Sequence, residues 1–260
     1  MTDCFYEYLG DDRYRSTDWT RGPWGPDSQH AGPPSALLGR AVEALHPAPM
    51  QVARITFEIL RPVPVSTLLL KSEILRSGKR VQLAQASLSA DGVEVMRATA
   101  WSIRTTELGF GLAPTIESPP DSPADGKNVP TFPADYASNY VEGMEWQFVH
   151  GSFLQPGPAV AWIRMRHPLI DDEPPSPLTR VLAAADSASG ISSQLEFGEW
   201  VFINPDLSVY LHRLPEGEWI RLDAVTYPEQ SGIGLARSTI SDPSGSIGGS
   251  MQTLYITPRD

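Results

Sequence analysis

The stretch AAADSASGIS, residues 183–192, contains one carboxylate, Asp186, among small residues. Leu178 and Leu182 precede it at the spacing that places all three side chains on one face of a helix. Such an apolar stripe normally faces the core, so an ionisable group on it needs a reason. One reason is chemistry, because a carboxylate can take a proton from water as a general base. The alternative is that Asp186 caps a turn before SASG.

The elements around Asp186 belong to a pattern that occurs twice. The first half reads as a helix, PPSALLGRAVEAL, then an alternating strand, RITFEILRPVP, then three more strand-like runs. The second half repeats this order with PPSPLTRVLAAADSASGIS, NPDLSVYLHRLP and three further runs. Arg61 and Arg213 correspond at an offset of 152 residues, and Gly92 and Gly245 at 153. A period this long predicts a duplicated domain.

A Pro-rich segment separates the two repeats. Six of the 25 prolines fall within residues 113–136, which are polar and without periodicity. We therefore predict an N-terminal unit over 1–107, a linker over 108–135 and a C-terminal unit over 136–260. One helix followed by four antiparallel strands, twice, is an α+β pattern. We expect each sheet to curl around its own helix and the two sheets to join, because joining removes open strand edges.

Composition and motifs exclude several classes of function. The net charge of −11 argues against nucleic acid and anionic membranes as partners. The single cysteine, Cys4, allows neither an internal disulfide nor a Cys-based metal site, and no HxxxH or HExxH spacing predicts a metal. No GxSxG elbow indicates a serine hydrolase. The polar, acidic N-terminus and the lack of a long apolar run favour a protein of the cytoplasm.

Several segments together resemble the acyl-CoA thioesterase II-like family. They are WGPDSQHAGPPSALLGRA, LRPVP, SGKRVQLAQASLSADG, PPSPLTRVLAAADSASGIS, INPDLSVYLHR and GEWIRLDA. The resemblance covers about residues 14–260 and implies a double hotdog, two tandem helix-wrapped antiparallel β-sheets. It also implies hydrolysis of an acyl-CoA to free acid and CoA without a cofactor, by a homo-oligomer (a dimer or higher).

The resemblance further implies a catalytic trio in the second half, which falls on Asp186, Asn204 and Gln252. Asn204 stands where the best-known members have Thr, and an amide can orient a water but cannot act as a hydroxyl does. Before Pro205, an Asn is also typical of a turn. Gln252 corresponds to Thr99 in the first half, so the scaffold does not require an amide there. An outward orientation of Gln252 on its strand is the alternative.

Substrate contacts are predicted in the first half. In QHAGPP, Gly32 begins a helix and permits close backbone approach, so its N–H could donate a hydrogen bond to an oxyanion. His30 would line the pocket or donate a hydrogen bond to the substrate. Arg76, Lys79 and Arg80 surround one turn and are candidates for the phosphates of CoA. A solvated hairpin tip is the favoured alternative for those three residues.

Two other functions stay open from the sequence. One is non-catalytic binding of an acyl thioester or a lipid. The other is a hotdog hydratase, whose hallmark is an Asp–His pair near the helix, a spacing that the sequence around Asp186 does not show. Convergence of Asp186, Asn204 and Gln252 would favour hydrolysis.

Overall fold

A computed structural model describes residues 3–46, 49–109, 118–129 and 138–259 of the 260-residue chain. The described residues form four α-helices and thirteen strands. The helices are α1 (Gly32–Ala44), α2 (Asn139–Gly143), α3 (Pro177–Ala185) and α4 (Ala188–Ile191). The strands of the first half are β1 (Tyr6–Tyr8), β2 (Arg13–Ser16), β3 (Met50–Ile59), β4 (Thr67–Arg76), β5 (Val81–Ala90) and β6 (Val93–Arg104). Those of the second half are β7 (Met144–Ser152), β8 (Gln155–Met165), β9 (Trp200–Ile203), β10 (Asp206–Leu211), β11 (Ile220–Pro228), β12 (Ile233–Asp242) and β13 (Gly245–Pro258).

All thirteen strands belong to one antiparallel sheet. Its order is β1-β2-β4-β5-β6-β3-β10-β13-β12-β11-β8-β7, and β9 pairs separately with β13. The two halves meet where β3 pairs with β10, with Thr56 opposite Ser208 and their hydroxyl oxygens 3.1 Å apart. The sheet is therefore continuous, as expected, and the α+β double hotdog is confirmed.

A single offset of 152 residues relates equivalent strand positions in the two halves. Thr56 and Ser208 are separated by 152 residues and face each other across the junction, so a pseudo-twofold axis passes between them. The same offset relates β5 to β12 residue by residue, and it relates the register shifts that follow Leu88 and Ile240. The duplication predicted from sequence thus extends to the irregularities of the strands.

The hairpin turns correct one sequence prediction. Ala90 pairs with Val93 in the first half and Asp242 with Gly245 in the second, so both turns contain two residues. Gly92 consequently corresponds to Ser244, and the offset of 153 inferred by matching Gly92 to Gly245 is wrong. The structural counterpart of Gln252 is Ala100 rather than Thr99.

The two central helices pack against each other in opposite directions. Gly39 of α1 lies so close to Leu182 of α3 that a Cβ there would overlap the leucine side chain. Nearer the other end of the pair, the Ser176 hydroxyl at the start of α3 donates to the Glu43 carboxylate near the end of α1. This antiparallel arrangement places the beginning of α1 beside the end of α3, where Asp186 lies.

Part of the predicted linker packs on the second sheet. Asp121 accepts two hydrogen bonds from the guanidinium of Arg221, at 2.9 and 2.8 Å, and one from the indole Nε1 of Trp162 at 2.7 Å. Because 110–117 and 130–137 lie outside the described residues, the boundaries 1–107, 108–135 and 136–260 stay predictions. None of the helices among the described residues has the length and apolar character needed to cross a membrane.

Candidate active site

Asp186 follows the last residue of α3 and is almost completely buried. Its Oδ1 accepts hydrogen bonds from Nδ2 of Asn204 at 2.8 Å and from Nε2 of Gln252 at 3.1 Å. The structure therefore brings together the three residues that the family resemblance singled out. Both amides donate to the same carboxylate oxygen, which stabilises negative charge there.

Gln252 is buried on the inner face of β13, while its neighbour Met251 is exposed, as alternation along a strand requires. Its Nε2 also donates to the main-chain oxygen of Asp186 at 3.0 Å, and its Oε1 accepts from the N–H of Ser189 at 3.1 Å. Because a backbone N–H can only donate, this last contact fixes the orientation of the amide. The alternative of an outward-facing Gln252 is wrong.

Asn204 reaches Asp186 from a break between two strands. It lies between β9 and β10, and its Nδ2 donates to the main-chain oxygen of Asp206 at 3.1 Å as well as to Asp186. Pro205, which follows, has no N–H to give to the sheet. From the sequence, Asn204 could be a turn residue or a site residue. In the structure it lies at a break between strands and also contacts Asp186, so both interpretations apply.

The second carboxylate oxygen of Asp186 faces His30. Nδ1 of His30 lies 3.4 Å from Oδ2. That same Nδ1 accepts a hydrogen bond from the N–H of Gly32 at 3.0 Å, so the proton of the neutral ring resides on Nε2. Burial lowers the pKa of His30 and outweighs the opposing attraction of Asp186. A neutral imidazole thus leaves Oδ2 without a proton donor from this ring.

Gly32 is required by the packing of the two helices. A Cβ at this position would lie 2.5 Å from the carbonyl oxygen of Ala183 and 3.2 Å from Nδ1 of His30. Its N–H already donates to His30, and the next two residues, Pro33 and Pro34, have no N–H. The predicted role of Gly32 as an oxyanion donor would therefore require its N–H to leave His30.

Tyr140, in α2, is a site residue that sequence reasoning missed. Its ring stacks on His30 with the centroids 3.8 Å apart and the planes 8° from parallel. Its hydroxyl donates to the carbonyl oxygen of Ala183 at 2.6 Å and lies 2.9 Å from Oγ of Ser187. Burial raises the pKa of Tyr140, so the phenol stays protonated and continues to donate. Tyr140 therefore holds the His30 ring against the end of α3.

A small pocket opens beside Asp186. Its volume is about 30 Å³, which is room for one or two water molecules. His30, Asp186 and Asn204 contribute its polar wall. The lining also includes the apolar residues Pro23, Trp24, Phe153, Phe197 and Phe202. A reacting group and a water can therefore meet next to the carboxylate with little other solvent present.

The three predicted phosphate contacts do not join this site. Arg76, Lys79 and Arg80 surround the turn between β4 and β5, beyond the end of α1 opposite to His30, because His46 after α1 contacts Gln82 at the start of β5. The helix between them has 13 residues and is about 20 Å long. In the described residues, no cluster of His, Cys, Asp or Glu has the arrangement of a metal site.

Comparison with known families decides the class of the protein. Residues 117–256 match the family described as the acyl-CoA thioesterase C-terminal domain, and residues 20–103 match the corresponding N-terminal domain. The chain belongs to the acyl-CoA thioesterase family. Both halves of the family's architecture are thus present in this thioesterase, and the polar trio lies in the half that matches the C-terminal domain.

Solved structures share the fold of this thioesterase across its whole length. A protein assigned as a thioesterase II from Thermobifida fusca is 17% identical, with 99% of this chain and 98% of that chain covered at a TM-score of 0.75. A hot dog fold protein of unknown function from Alicyclobacillus acidocaldarius is 15% identical, with 99% and 97% covered and a TM-score of 0.72. The acyl-CoA thioesterase II TesB2 of Mycobacterium marinum is 16% identical, with 98% and 96% covered and a TM-score of 0.67. Comparison with curated proteins gives no match.

Proposed function

We propose that this thioesterase hydrolyses acyl-CoA to the free acid and CoA, with Asp186 as the general base. The observation that supports it is the difference in hydrogen bonding between the two carboxylate oxygens of Asp186. Asn204 and Gln252 both donate to Oδ1 and neither donates to Oδ2, and Asp186 lines the pocket. A carboxylate fixed through one oxygen can present the other to a water at a constant angle, which is what general-base catalysis requires.

The proposed reaction proceeds through a tetrahedral intermediate. Oδ2 of Asp186 takes a proton from water while the water oxygen bonds to the thioester carbonyl carbon. The carbon–sulfur bond then breaks, the acid is released, and the CoA sulfur takes the proton that Asp186 received. Oxyanion stabilisation is the largest single contribution in many acyl transfers. We assign it to Nε2–H of the neutral His30 ring, whose Nδ1 is engaged by Gly32.

The test is replacement of Asp186 by Asn, which preserves size but removes the proton acceptor. Turnover of an accepted acyl-CoA, measured by thiol release, should fall by roughly 10² to 10⁴-fold. Binding should change little, and the melting temperature should hold or rise, because a buried carboxylate is costly when ionised. The control is Asp223→Asn, an exposed carboxylate on β11, which should leave both quantities unchanged. Wild-type turnover by the Asp186 variant, together with a lower melting temperature, would make Asp186 a structural cap instead.

One observation favours a second candidate, the hotdog hydratase. The Asp–His pair that the sequence did not show exists in space, with His30 contributed by the first half and Asp186 by the second. The thiol-release assay can be repeated with crotonyl-CoA to separate the two. Loss of the enoyl absorbance without thiol release would indicate hydration of the double bond, and thiol release with the double bond intact would indicate hydrolysis.

Self-association stays a prediction of the family resemblance, and residence in the cytoplasm stays a prediction from the sequence. Exposed apolar side chains do occur together on the outer face of the second sheet, where Tyr210, Met251 and Tyr255 project from the adjacent strands β10 and β13. An outer face of this kind supports a homo-oligomer.

A further inference from the structure

The pocket beside Asp186 is too small for a long acyl chain. Its volume is about 30 Å³, whereas a cavity known to bind one benzene molecule has a volume of about 150 Å³. The attacking water must share the same space if the proposed function is right. A chain of many methylenes, or an aromatic ring, cannot enter it without displacing the walls.

The residues behind the pocket are closely packed. Trp146 donates its indole N–H to the main-chain oxygen of Val141 at 2.8 Å, and its ring contacts Phe153 with centroids 4.8 Å apart. Phe148 completes the cluster, with its ring centroid 5.2 Å from that of Phe153. Val141 and Phe153 line the pocket, so Trp146 and Phe148 lie directly behind its wall. All four side chains belong to the buried core, which closes the route by which a chain could extend inward.

A wider groove lies on the outer side of the same wall. It has a volume of about 340 Å³ and is lined by Leu154, Pro156 and Leu195, and it shares Phe153 and Phe197 with the pocket. A thioester next to Asp186 has two arms, and the arm that leads to the CoA nucleotide must reach solvent. The groove is the wider of the two spaces and is open, so it suits the pantetheine arm and leaves the small pocket for the acyl group.

We propose that the acyl group accepted by this protein is short, as in acetyl- or butyryl-CoA. The inference rests on the proposed function for the location of the thioester. Phe153 then sets the upper limit of chain length, because its ring is both the pocket wall and the front of the aromatic cluster. Gly190 sets the width of the pocket. It lines the pocket, and a Cβ at this position would meet no atom within 4 Å, so a methyl group there would occupy free space.

The experiment measures binding rather than turnover. Acetyl-, butyryl-, octanoyl- and palmitoyl-CoA are titrated calorimetrically into the Asp186→Asn variant, which should hydrolyse them at least about 10²-fold more slowly under the proposed function. Binding of acetyl- and butyryl-CoA should be at least tenfold tighter than that of octanoyl-CoA, since one methylene changes discrimination by about 10 to 200-fold. Tighter binding of octanoyl- or palmitoyl-CoA overturns the inference.

Two variants in the same background locate the limit. Phe153→Ala should improve octanoyl-CoA relative to butyryl-CoA by about tenfold or more. Gly190→Ala, which adds one methyl group without a clash, should weaken butyryl-CoA relative to acetyl-CoA by about tenfold and holds the test if Phe153→Ala does not fold. The matched control is Gly198→Ala, since Gly198 lines the outer groove and a Cβ there also meets no atom within 4 Å. It should change all chain lengths equally. A Gly190→Ala variant that leaves the ranking unchanged contradicts the proposal.

The outcomes separate the two proposals. Wild-type turnover that depends on Asp186 but prefers long chains would retain the proposed function and reject the short acyl group. Absence of turnover with every thioester, combined with preferential binding of short chains, would reject hydrolysis and retain the pocket assignment.

Discussion

The first hotdog has apolar residues where the second has its polar trio. At the offset of 152 residues that relates the strands, Val52 corresponds to Asn204 and Ala100 to Gln252. Both are buried in the core of the first half. When the PPS segments near the starts of the two helices are aligned, Leu45 corresponds to Asp186. Leu45 packs against the same core. One backbone register thus supports a catalytic site in one half and ordinary packing in the other.

The difference extends to the backbone at a single point. In the first half, β3 continues through a register shift between Val52 and Arg54 while it pairs with β6. The second half divides the corresponding strand into β9 and β10 at Asn204 and Pro205, and both parts still pair with β13. Proline is tolerated in sheets at irregular positions, because no N–H is required there. A bulge in one half has become a break in the other, and the break directs the Asn204 amide to Asp186.

The first half uses its own polar residues for anchoring. His46, just after α1, lies with Nδ1 2.9 Å from the Gln82 amide nitrogen and Nε2 2.7 Å from the hydroxyl of Ser102. Burial lowers the pKa of His46, as it does for His30. Neutral histidines therefore lie beyond both ends of α1, and of these two only His30 faces a carboxylate.

Among the variants that compare the two halves, removal of the Gln252 amide has the largest expected effect. Gln252→Met retains volume but leaves Asp186 with one side-chain donor and the Ser189 N–H without its acceptor. We expect turnover to fall by about 10²-fold, and the free energy of unfolding to fall by about 1–3 kcal/mol. The control in the first half is Val52→Ala, at the counterpart of Asn204, which should lose about 2 kcal/mol of stability with unchanged turnover. Equal effects on turnover would contradict a site confined to the second half.

The next effect is a pH dependence shared by the two histidines. Their folded-state pKa values are lower than in the unfolded chain, so the unfolded state binds more protons as the pH falls below about 6.5. The unfolding free energy should therefore be fully present above that pH and decrease below it. His30→Gln and His46→Gln should each flatten this decrease in denaturant titrations between pH 5 and 8.

Activity distinguishes the two histidines. Protonated His30 would present an N–H to Oδ2 of Asp186 and engage the base, so turnover should fall with acid. His30→Gln should lower turnover at every pH, because the proposed oxyanion donor is lost, and its remaining turnover should depend less on acid. His46→Gln should change the stability profile alone. A changed acid limb of turnover in the His46 variant would show that the two halves are coupled through α1.

The smallest effect is expected at the junction itself. Thr56→Val removes the hydroxyl contact with Ser208 but retains the shape of the side chain and the strand pairing. Unfolding free energy should fall by about 1 kcal/mol or less, with turnover unchanged, because a partly buried hydrogen bond has a small net value. A loss of activity in this variant would mean that the junction positions the site.

The sequence predicted the fold well because alternation and the repeated order of elements are local signals. It also predicted that Asp186 faces the core, because its spacing from Leu178 and Leu182 can be seen in a short stretch of sequence. Residue matching failed at Gly92 and Gly245, where two-residue turns have different compositions and the strand pairing alone defines the register. Tyr140 gave no signal, because its contact with His30 joins residues far apart in the chain and its helix has only five residues.

The β3–β10 junction has a consequence for the order in which the protein is made. The first half leaves the ribosome with one side of β3 unpaired, because β10 is translated about 150 residues later. At about 5–20 residues per second this interval lasts on the order of 10–30 s. Asp186, which faces His30 in the folded protein, is also translated during that time. The nascent chain therefore has an exposed strand edge before its active site is complete.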